Sequence, residues 1–300
     1  MILFASAMTD PEAYRRYARP GIRLAAEPDS VIHAFAAVGS VCRSYNMLLD
    51  RAGLESDVEA LVLLQQDVEI LDRDFCDEVR RALEDPDVAV VGPVGARDVK
   101  TIAWWDGEIS AGPVVQRYQA FGSGEIPAFS WKGTAPAPAE VDVLDGRLMV
   151  LSRWALETLR FDESLQLGHG YELDLCLKAR AAGRKVMTAD LPVAYHTRTL
   201  RVLNDYDLWI EGHIQAAERF AGRLEEPALP QAAWMERARR AEAEREAART
   251  LAYSAEHEVD AELAPLERAL EELTGSTSWR VTGPLRRLNQ WRAQRRGSNG

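Results

Sequence analysis

Two carboxylates follow a run of large aliphatic residues early in the chain. Leu61-Val62-Leu63-Leu64 predicts a strand buried on both faces, because four consecutive aliphatic side chains leave no polar face. In an extended chain Gln65, Asp67 and Glu69 would then point to the same side. Ligands bind at the carboxyl edge of open α/β sheets, and a carboxylate there can hold a divalent cation that in turn holds phosphates. The alternative is a strand that simply ends in polar residues.

Strand and helix patterns alternate around this run, and these elements must position the carboxylates. Apolar runs predict the strands, whereas capping residues and amphipathic spacing predict the helices between them. Strands that alternate with helices at this spacing indicate βαβ units and a parallel sheet. In chain order the other segments are strand Ile2–Ala7, a helix capped by Asp10, strand Val31–Val38, a helix from Ser40 to Gly53, helix Asp72–Leu83 and strand Val88–Val91.

The segment Gly95–Pro138 breaks this periodicity and is rich in glycine and proline. A long irregular segment in a compact domain is usually functional or disordered. Its tryptophans, Trp104, Trp105 and Trp131, fit either a lid that binds a ligand or aromatic residues buried in hairpins.

The composition changes again at Arg223, where Ala, Glu and Arg begin to dominate. This pattern predicts long solvated helices, for which a coiled coil is one possible arrangement. We therefore predict two parts, an α/β domain over residues 1–222 and a helical extension over residues 223–300. The extension ends in a basic tail that carries Trp279 and Trp291 and several arginines.

The formal net charge of −11 argues against a general nucleic-acid binder, which needs a basic surface. Acids and bases balance from Arg223 onward, so the excess lies in the first part, and a site for an anionic nucleotide there needs local positive charge, most simply a metal ion. The cysteines form no CxxC pair, which indicates a reducing compartment. Without a signal-peptide pattern or a long apolar stretch, we expect a cytoplasmic protein, with peripheral attachment to a membrane as the alternative.

Four features in chain order resemble the GT-A nucleotide-sugar glycosyltransferases, in particular the family-2-like branch. The likeness covers about residues 2–200, and it implies a GT-A fold, a Rossmann-like and mostly parallel central sheet flanked by helices. The features are Ser44-Tyr45-Asn46, Gln65-Gln66-Asp67-Val68, Asp145-Gly146, and Tyr171-Glu172-Leu173-Asp174 with His196.

The resemblance implies that a divalent metal, Mn²⁺ or Mg²⁺, bridges the donor diphosphate and stabilises the leaving charge as a Lewis acid. Asp67 matches the family's metal carboxylate, and His196 matches its second protein ligand. The family's metal motif has the sequence His-Gln-Asp-Val, so Gln65 stands where the family has histidine. Glutamine is a poor metal ligand, and Glu69 is the residue that could compensate.

The resemblance also implies a catalytic base that takes the proton of the acceptor hydroxyl. Glu172 matches this position, with Asp174 as the reserve candidate. The residues expected at the acceptor are Trp131, His169 and Tyr171. The residues expected at the nucleotide and the donor sugar are Ala5, Ser6, Arg43, Asn46, Gln65, Gln66, Asp145 and Gly146.

The expected function is metal-dependent, inverting transfer of a sugar from a nucleotide sugar to a glycan or lipid-linked acceptor. Two alternatives stay open, a sugar nucleotidyltransferase and a non-catalytic GT-A-like scaffold. A nucleotidyltransferase needs a basic, glycine-rich loop after the first strand, and Thr9-Asp10-Pro11-Glu12 is the opposite. The tail resembles that of many polysaccharide-assembly glycosyltransferases, and it fits contact with an anionic membrane or self-association through the C-terminal helices.

Overall fold

The structure is a computed structural model that describes residues 1–118, 124–127, 135–165, 170–197 and 206–224, together with six single residues further on. The chain forms two compact units, Met1–Glu226 and Pro227–Gly300. In the second unit, the described residues Ala241, Leu270, Glu272, Thr274 and Trp279 are helical. Among the described residues, no helix is both long enough and apolar enough to cross a membrane.

A seven-stranded sheet forms the centre of the first unit. Its two strands with the longest apolar runs have every residue buried, so the sheet is covered on both faces. In spatial order the strands are β11 (Ala139–Glu140), β14 (Lys185–Thr188), β5 (Val88–Gly92), β13 (Leu148–Ser152), β3 (Ala60–Leu64), β1 (Ile2–Met8) and β2 (Val31–Ala36).

Helices connect the first three strands as the sequence predicts, and β1 pairs in parallel with both β2 and β3. The connection after β1 begins at Asp10, whose carboxylate accepts hydrogen bonds from the Glu12 and Ala13 N–H groups at 2.9 and 3.0 Å. It comprises α1 (Pro11–Ala13), a π-helical turn (Tyr14–Ala18) and α2 (Arg19–Ala25). The connection after β2 is α3 (Val41–Ala52), which Ser40 caps.

One strand departs from the parallel arrangement. β13 lies between β3 and β5 in the sheet and runs antiparallel to both. In the chain, however, β3 and β5 are connected through α4 (Phe75–Ala82). The pair β5–β14 is again parallel. The α/β fold with a central sheet is therefore confirmed, and the insertion of β13 brings the turn before it to the carboxyl end of β3.

Two four-stranded sheets flank the central one, and they include much of the segment that lacks periodicity in the sequence. The first is ordered β10 (Ala135–Pro136), β7 (Glu108–Ala111), β6 (Val94–Arg97) and β12 (Val143–Leu144). The second is ordered β4 (Val68–Ile70), β15 (Val193–Thr197), β8 (Val114–Tyr118) and β9 (Gly124–Pro127). The remaining helices are a 3₁₀ turn (Trp104–Asp106), α5 (Arg153–Thr158), α6 (Tyr171–Ala181) and α7 (Tyr206–Phe220).

Candidate functional site

The turn after β3 is the centre of the candidate site. β3 ends at Leu64, and the Val68 N–H closes a turn on the Gln65 carbonyl at 3.2 Å. The expectation that Gln65, Asp67 and Glu69 share one face is therefore wrong, because the chain turns and continues as β4 in a different sheet. The turn thus sends its three polar side chains in different directions.

Gln66 fixes this turn to the end of β1. Its amide oxygen accepts hydrogen bonds from the Thr9 and Asp10 N–H groups at 2.8 and 2.7 Å. Its amide nitrogen donates to the Thr9 hydroxyl at 2.9 Å. All polar atoms of the Gln66 side chain are therefore engaged in holding two strand ends together.

Asp67 presents an unsatisfied oxygen. The His196 N–H donates to the Asp67 main-chain carbonyl at 2.9 Å, which pairs the turn with β15. The carboxylate atom Oδ1 is buried and has no hydrogen-bond partner among the described residues. A buried carboxylate oxygen without a partner is costly, and a cation would satisfy it.

The other residues expected at the nucleotide occupy two environments. Ala5 and Ser6 are fully buried in β1, and the Ser6 hydroxyl lacks a hydrogen-bond partner in the described part of the chain. Arg43 is exposed on α3. The Asn46 side chain pins the Phe161 backbone, accepting from its N–H at 2.9 Å and donating to its carbonyl at 3.0 Å. The structure therefore gives Asn46 an anchoring role in the protein itself.

The turn between β12 and β13 lies against the same edge, because the Gln65 N–H donates to the Arg147 carbonyl at 2.9 Å. Asp145 is buried and accepts a hydrogen bond from the Arg147 N–H at 3.1 Å. Burial raises the pKa of Asp145, although the nearby Arg147 charge opposes that shift. The guanidinium of Arg147 lies 4.7 Å from the ring centre of Tyr195.

Tyr171 links the predicted motifs to one another. Its hydroxyl donates to the Gly146 carbonyl at 3.0 Å and accepts from the Gln65 amide at 2.9 Å. Its side chain is only 5% exposed, so its observed role is to join the turns rather than to offer a surface to an acceptor. The hydrogen bond from Gln65 also explains what this glutamine does at the family's histidine position.

The Tyr171 side chain leaves no room for a Cβ atom at position 146, so this position requires glycine. A Cβ at this position would lie 2.5 Å from the Tyr171 hydroxyl oxygen and 2.7 Å from the adjacent ring carbon. We therefore expect Gly146→Ala to destabilise the protein by about 1–3 kcal/mol, since overpacked sites carry costs of that size. Urea unfolding of Gly146→Ala and of the control Gly53→Ala, at a helix end with ordinary backbone angles, measures this. Equal stability of the two variants would contradict the close packing.

Glu172 lies in the first turn of α6 and faces a cavity. Burial raises the pKa of Glu172 to about 7, and its Oε2 atom is buried without a hydrogen-bond partner among the described residues. A helix N-terminus favours the ionised form, so burial outweighs the helix dipole here. A carboxyl group that titrates near neutral pH is suited to general base catalysis.

Asp174 has a different environment from Glu172. It is fully buried, and its two carboxylate oxygens lie 2.5 Å from the Lys178 ammonium and 3.1 Å from the Arg223 guanidinium. Two cations hold this carboxylate in place, and removing either partner of a buried ion pair is strongly destabilising. Asp174 is thus a structural anchor for α6, and Glu172 is the carboxylate that remains available for chemistry.

The side chain of His196 contacts Glu69 and Tyr17. Its Nε2 atom lies 2.6 Å from the Glu69 carboxylate, and its ring stacks on Tyr17 with 3.9 Å between centroids. Glu69 also accepts a hydrogen bond from Arg117 at 2.9 Å. Side chains alternate along a strand, so the ring of His196 points away from the side where the neighbouring Tyr195 meets Arg147.

These contacts decide which residues fit a metal. Asp67 fits, because its Oδ1 atom lacks a partner, whereas the side chains of Gln65 and His196 are bonded to other residues. Within the described ranges, no group of three or more His, Cys, Asp or Glu side chains could hold a metal ion. The His196 ring is paired with Glu69, and Asp67 remains a candidate ligand with an unpartnered oxygen.

A small cavity of about 50 Å³, partly open to solvent, lies beside Glu172. Trp105 forms part of its wall, whereas the neighbouring Trp104 is buried. Its lining residues are Ile102, Trp105, Gly170, Glu172, Leu173, His213 and Ala216. Trp131 and His169, both expected at the acceptor, lie outside the described residues.

Sequence reasoning did not single out Arg147, Tyr195 or His213. Arg147 directly follows Asp145-Gly146, so its place beside that motif is a signal that the sequence contains. His213 has no such signal, because only the packing of α7 brings it to the cavity beside Glu172.

Comparisons with known proteins bear on the family and the fold of the chain. The model of the glycosyltransferase-like family matches residues 9–208. The curated relative "Streptomycin biosynthesis protein StrF" of Streptomyces griseus is 28% identical over 230 residues, which cover 72% of this chain and 77% of that protein. A solved structure of GalNAc-T7 with UDP, GalNAc and Mn²⁺ aligns with a TM-score of 0.53 and 11% identity over 77% of this chain.

The chain spans about half, 51%, of the length of the GalNAc-T7 chain, so that likeness concerns the fold alone. The family model, in contrast, covers two thirds of the present chain and includes Asp67, Asp145, Glu172 and His196. The chain therefore belongs to the glycosyltransferase-like family and has a GT-A fold.

Proposed function

We propose that the protein transfers a sugar from a nucleoside diphosphate to a hydroxyl group of a glycan or lipid-linked acceptor, with inversion. One observation carries this proposal, the hydrogen bond between Gln65 and Tyr171. It joins the segment before Asp67 to the segment before Glu172, and both carboxylates have a buried oxygen without a described partner. A candidate cation-binding turn and a candidate base are thereby held at one edge of the sheet.

Glu172 is the proposed base. Its raised pKa, about 7, allows it to accept a proton from an acceptor hydroxyl near neutral pH. A single base that activates the acceptor for direct attack gives inversion at the anomeric carbon. Asp145, buried on the turn opposite, is the proposed partner of a donor-sugar hydroxyl.

A divalent metal is part of this proposal, with Asp67 as its protein ligand. When bound, the metal supplies Lewis-acid charge to the departing diphosphate. Two carboxylates, Asp67 and Asp145, lie near the single positive charge of Arg147, so an anionic donor needs further positive charge. The fold neighbour GalNAc-T7 was solved with UDP and Mn²⁺, which supports this part of the proposal.

The experiment is a panel of UDP-, GDP- and dTDP-sugars incubated with the protein, with release of the nucleoside diphosphate as the readout. We expect release from at least one donor with Mn²⁺ and none with EDTA. If no donor is hydrolysed, transferred or bound at millimolar concentration, the proposal is wrong.

A non-catalytic scaffold is the second candidate, and the engagement of Gln65 and His196 by other side chains favours it. In that case the helical extension would serve partners, by self-association or at a membrane surface. Oligomerisation without nucleotide binding would support the scaffold, whereas metal-dependent nucleotide binding would count against it.

Trp105 is the proposed wall of the acceptor site, because it lines the cavity beside Glu172. We expect Trp105→Ala to raise the KM for the acceptor about 3- to 10-fold, the loss expected from one aromatic contact. When donor hydrolysis is measured without acceptor, the KM of Trp105→Ala for the donor should equal that of wild type. Trp154→Ala is the matched control, since Trp154 packs against Arg184 instead. An unchanged acceptor KM in Trp105→Ala would remove this residue from the acceptor site.

A further inference from the structure

Arg147 places a guanidinium at the candidate site, and it has no ion-pair partner among the residues that the structure describes. Its main chain is fixed on both sides, because its N–H donates to Asp145 at 3.1 Å and its carbonyl accepts from Gln65 at 2.9 Å. Its guanidinium packs on the ring of Tyr195, 4.7 Å from the centroid. The Nη1 atom is buried and has no hydrogen-bond partner among the described residues.

Two carboxylates lie near this guanidinium without pairing with it. Burial lowers the pKa of Arg147, but the nearby carboxylates, Asp145 first and also Asp67, help to outweigh burial, and the pKa is raised overall. Arg147 nevertheless forms no ion pair within the part of the chain that the structure describes, and the Oδ1 atom of Asp67 is also unpartnered. A buried charge is costly when it is left unpaired, so the fold holds two unsatisfied groups of opposite sign.

A ligand that carries both signs would satisfy both groups at once. A cation bound to a diphosphate has that character, since the metal suits the Asp67 carboxylate and a phosphate oxygen suits the guanidinium. Guanidinium groups bind phosphates through directed, charge-assisted hydrogen bonds, and they remain protonated at any physiological pH.

We propose that Arg147 binds the diphosphate of the donor, opposite the cation held by Asp67. This inference rests on the proposed function. Arg147 then supplies part of the positive charge that stabilises the leaving group, at a site where Gln65 and His196 do not serve as ligands. The alternative is that Arg147 only neutralises Asp67 and Asp145 within the folded protein.

Titration calorimetry with Mn²⁺ and UDP, GDP or dTDP distinguishes the two roles. We expect Arg147→Gln to weaken binding of the nucleoside diphosphate about 10- to 100-fold, a loss typical of a charge-assisted phosphate contact. Binding of Mn²⁺ alone should stay equal or become tighter, since a positive charge near Asp67 has been removed. The nucleotide affinity of Arg147→Lys should lie between those of wild type and Arg147→Gln, because lysine keeps the charge but not the planar guanidinium.

Arg97→Gln is the control, because Arg97 is exposed and pairs with Glu108. Its affinities for Mn²⁺ and for the nucleoside diphosphate should equal those of wild type. If nucleotide affinity in Arg147→Gln stays within twofold of wild type, Arg147 is only a neutralising residue and the proposal is overturned. If Arg147→Gln does not fold, Arg147→Lys decides, and unchanged nucleotide affinity in that variant overturns the proposal. Wild-type protein is titrated first, so an absence of any nucleotide binding is recognised separately as failure of the proposed function.

Discussion

Replacing Asp67 with asparagine is expected to lower kcat/KM for sugar transfer by about 1000-fold. A metal that polarises a leaving phosphate contributes several kcal/mol to the transition state, and each 1.36 kcal/mol corresponds to about tenfold in rate. The Oδ1 atom of Asp67 is buried and has no hydrogen-bond partner among the residues that the structure describes, so it is free for a metal. Losing its charge should therefore remove most of the metal's effect.

Steady-state kinetics over a range of Mn²⁺ concentrations measures the effect of Asp67→Asn, with the exposed Asp190→Asn as the control. The Asp67 variant should also need more Mn²⁺ for half-maximal activity. Activity within tenfold of wild type, with the same Mn²⁺ dependence, would show that the metal is held elsewhere or is not used.

Glu172→Gln is expected to lower kcat about 10²- to 10⁴-fold, the range that general base catalysis contributes. Glutamine has nearly the shape of glutamate but cannot accept the proton of the acceptor hydroxyl. Donor affinity should be unchanged, because Glu172 lines the cavity that we propose for the acceptor. Glu157→Gln, an exposed position on α5 that pairs with Arg153, is the control. A variant that retains wild-type kcat would exclude Glu172 as the base.

The pH dependence follows from the same carboxyl group, whose pKa is raised from 4.5 to about 7 by burial. The base must be ionised, so wild-type activity should rise with pH through about 7 and then level off. The folded protein binds the extra proton between these two values, so its stability falls as pH rises across that interval. Glu172→Gln removes this cost, and its unfolding free energy should exceed that of wild type by about 1–3 kcal/mol at pH 8 and hardly at all at pH 4.

Thermal or urea unfolding at the two pH values tests this linkage without any substrate. An equal difference between the Glu172→Gln variant and wild type at both pH values would show that the pKa of Glu172 is not raised in the folded protein.

The sequence predicts the fold best where apolar runs are long. β1, β3 and β5 and the capped helices between them follow directly from local pattern, because strands buried on both faces consist of aliphatic residues. The antiparallel insertion of β13 depends on contacts distant in sequence, which no local period encodes. The short strands β6 to β8 lie among glycines and prolines, where periodicity is too brief to indicate a strand.

The candidate site divides in the same way. Asp67 can be predicted from its place at the end of a buried strand, since ligands bind at that edge of a sheet. Asp145 and Glu172 are expected only from the resemblance to the GT-A glycosyltransferases. Whether a predicted side chain is free depends on the partners that folding gives it. Gln65 is hydrogen-bonded to Tyr171, and His196 is paired with Glu69. Asp174 forms ion pairs with two cations. None of these contacts can be read from a single sequence.

We expect donor and acceptor to meet between the Asp67 turn and Glu172, and a crystal structure with the preferred nucleotide sugar and Mn²⁺ would locate both. In that structure the metal should contact Oδ1 of Asp67, the diphosphate should contact Arg147, and the sugar should lie between Asp145 and Glu172. Binding of the nucleotide away from the carboxyl end of β3, or a metal held by Glu69 and His196 without Asp67, would contradict this expectation.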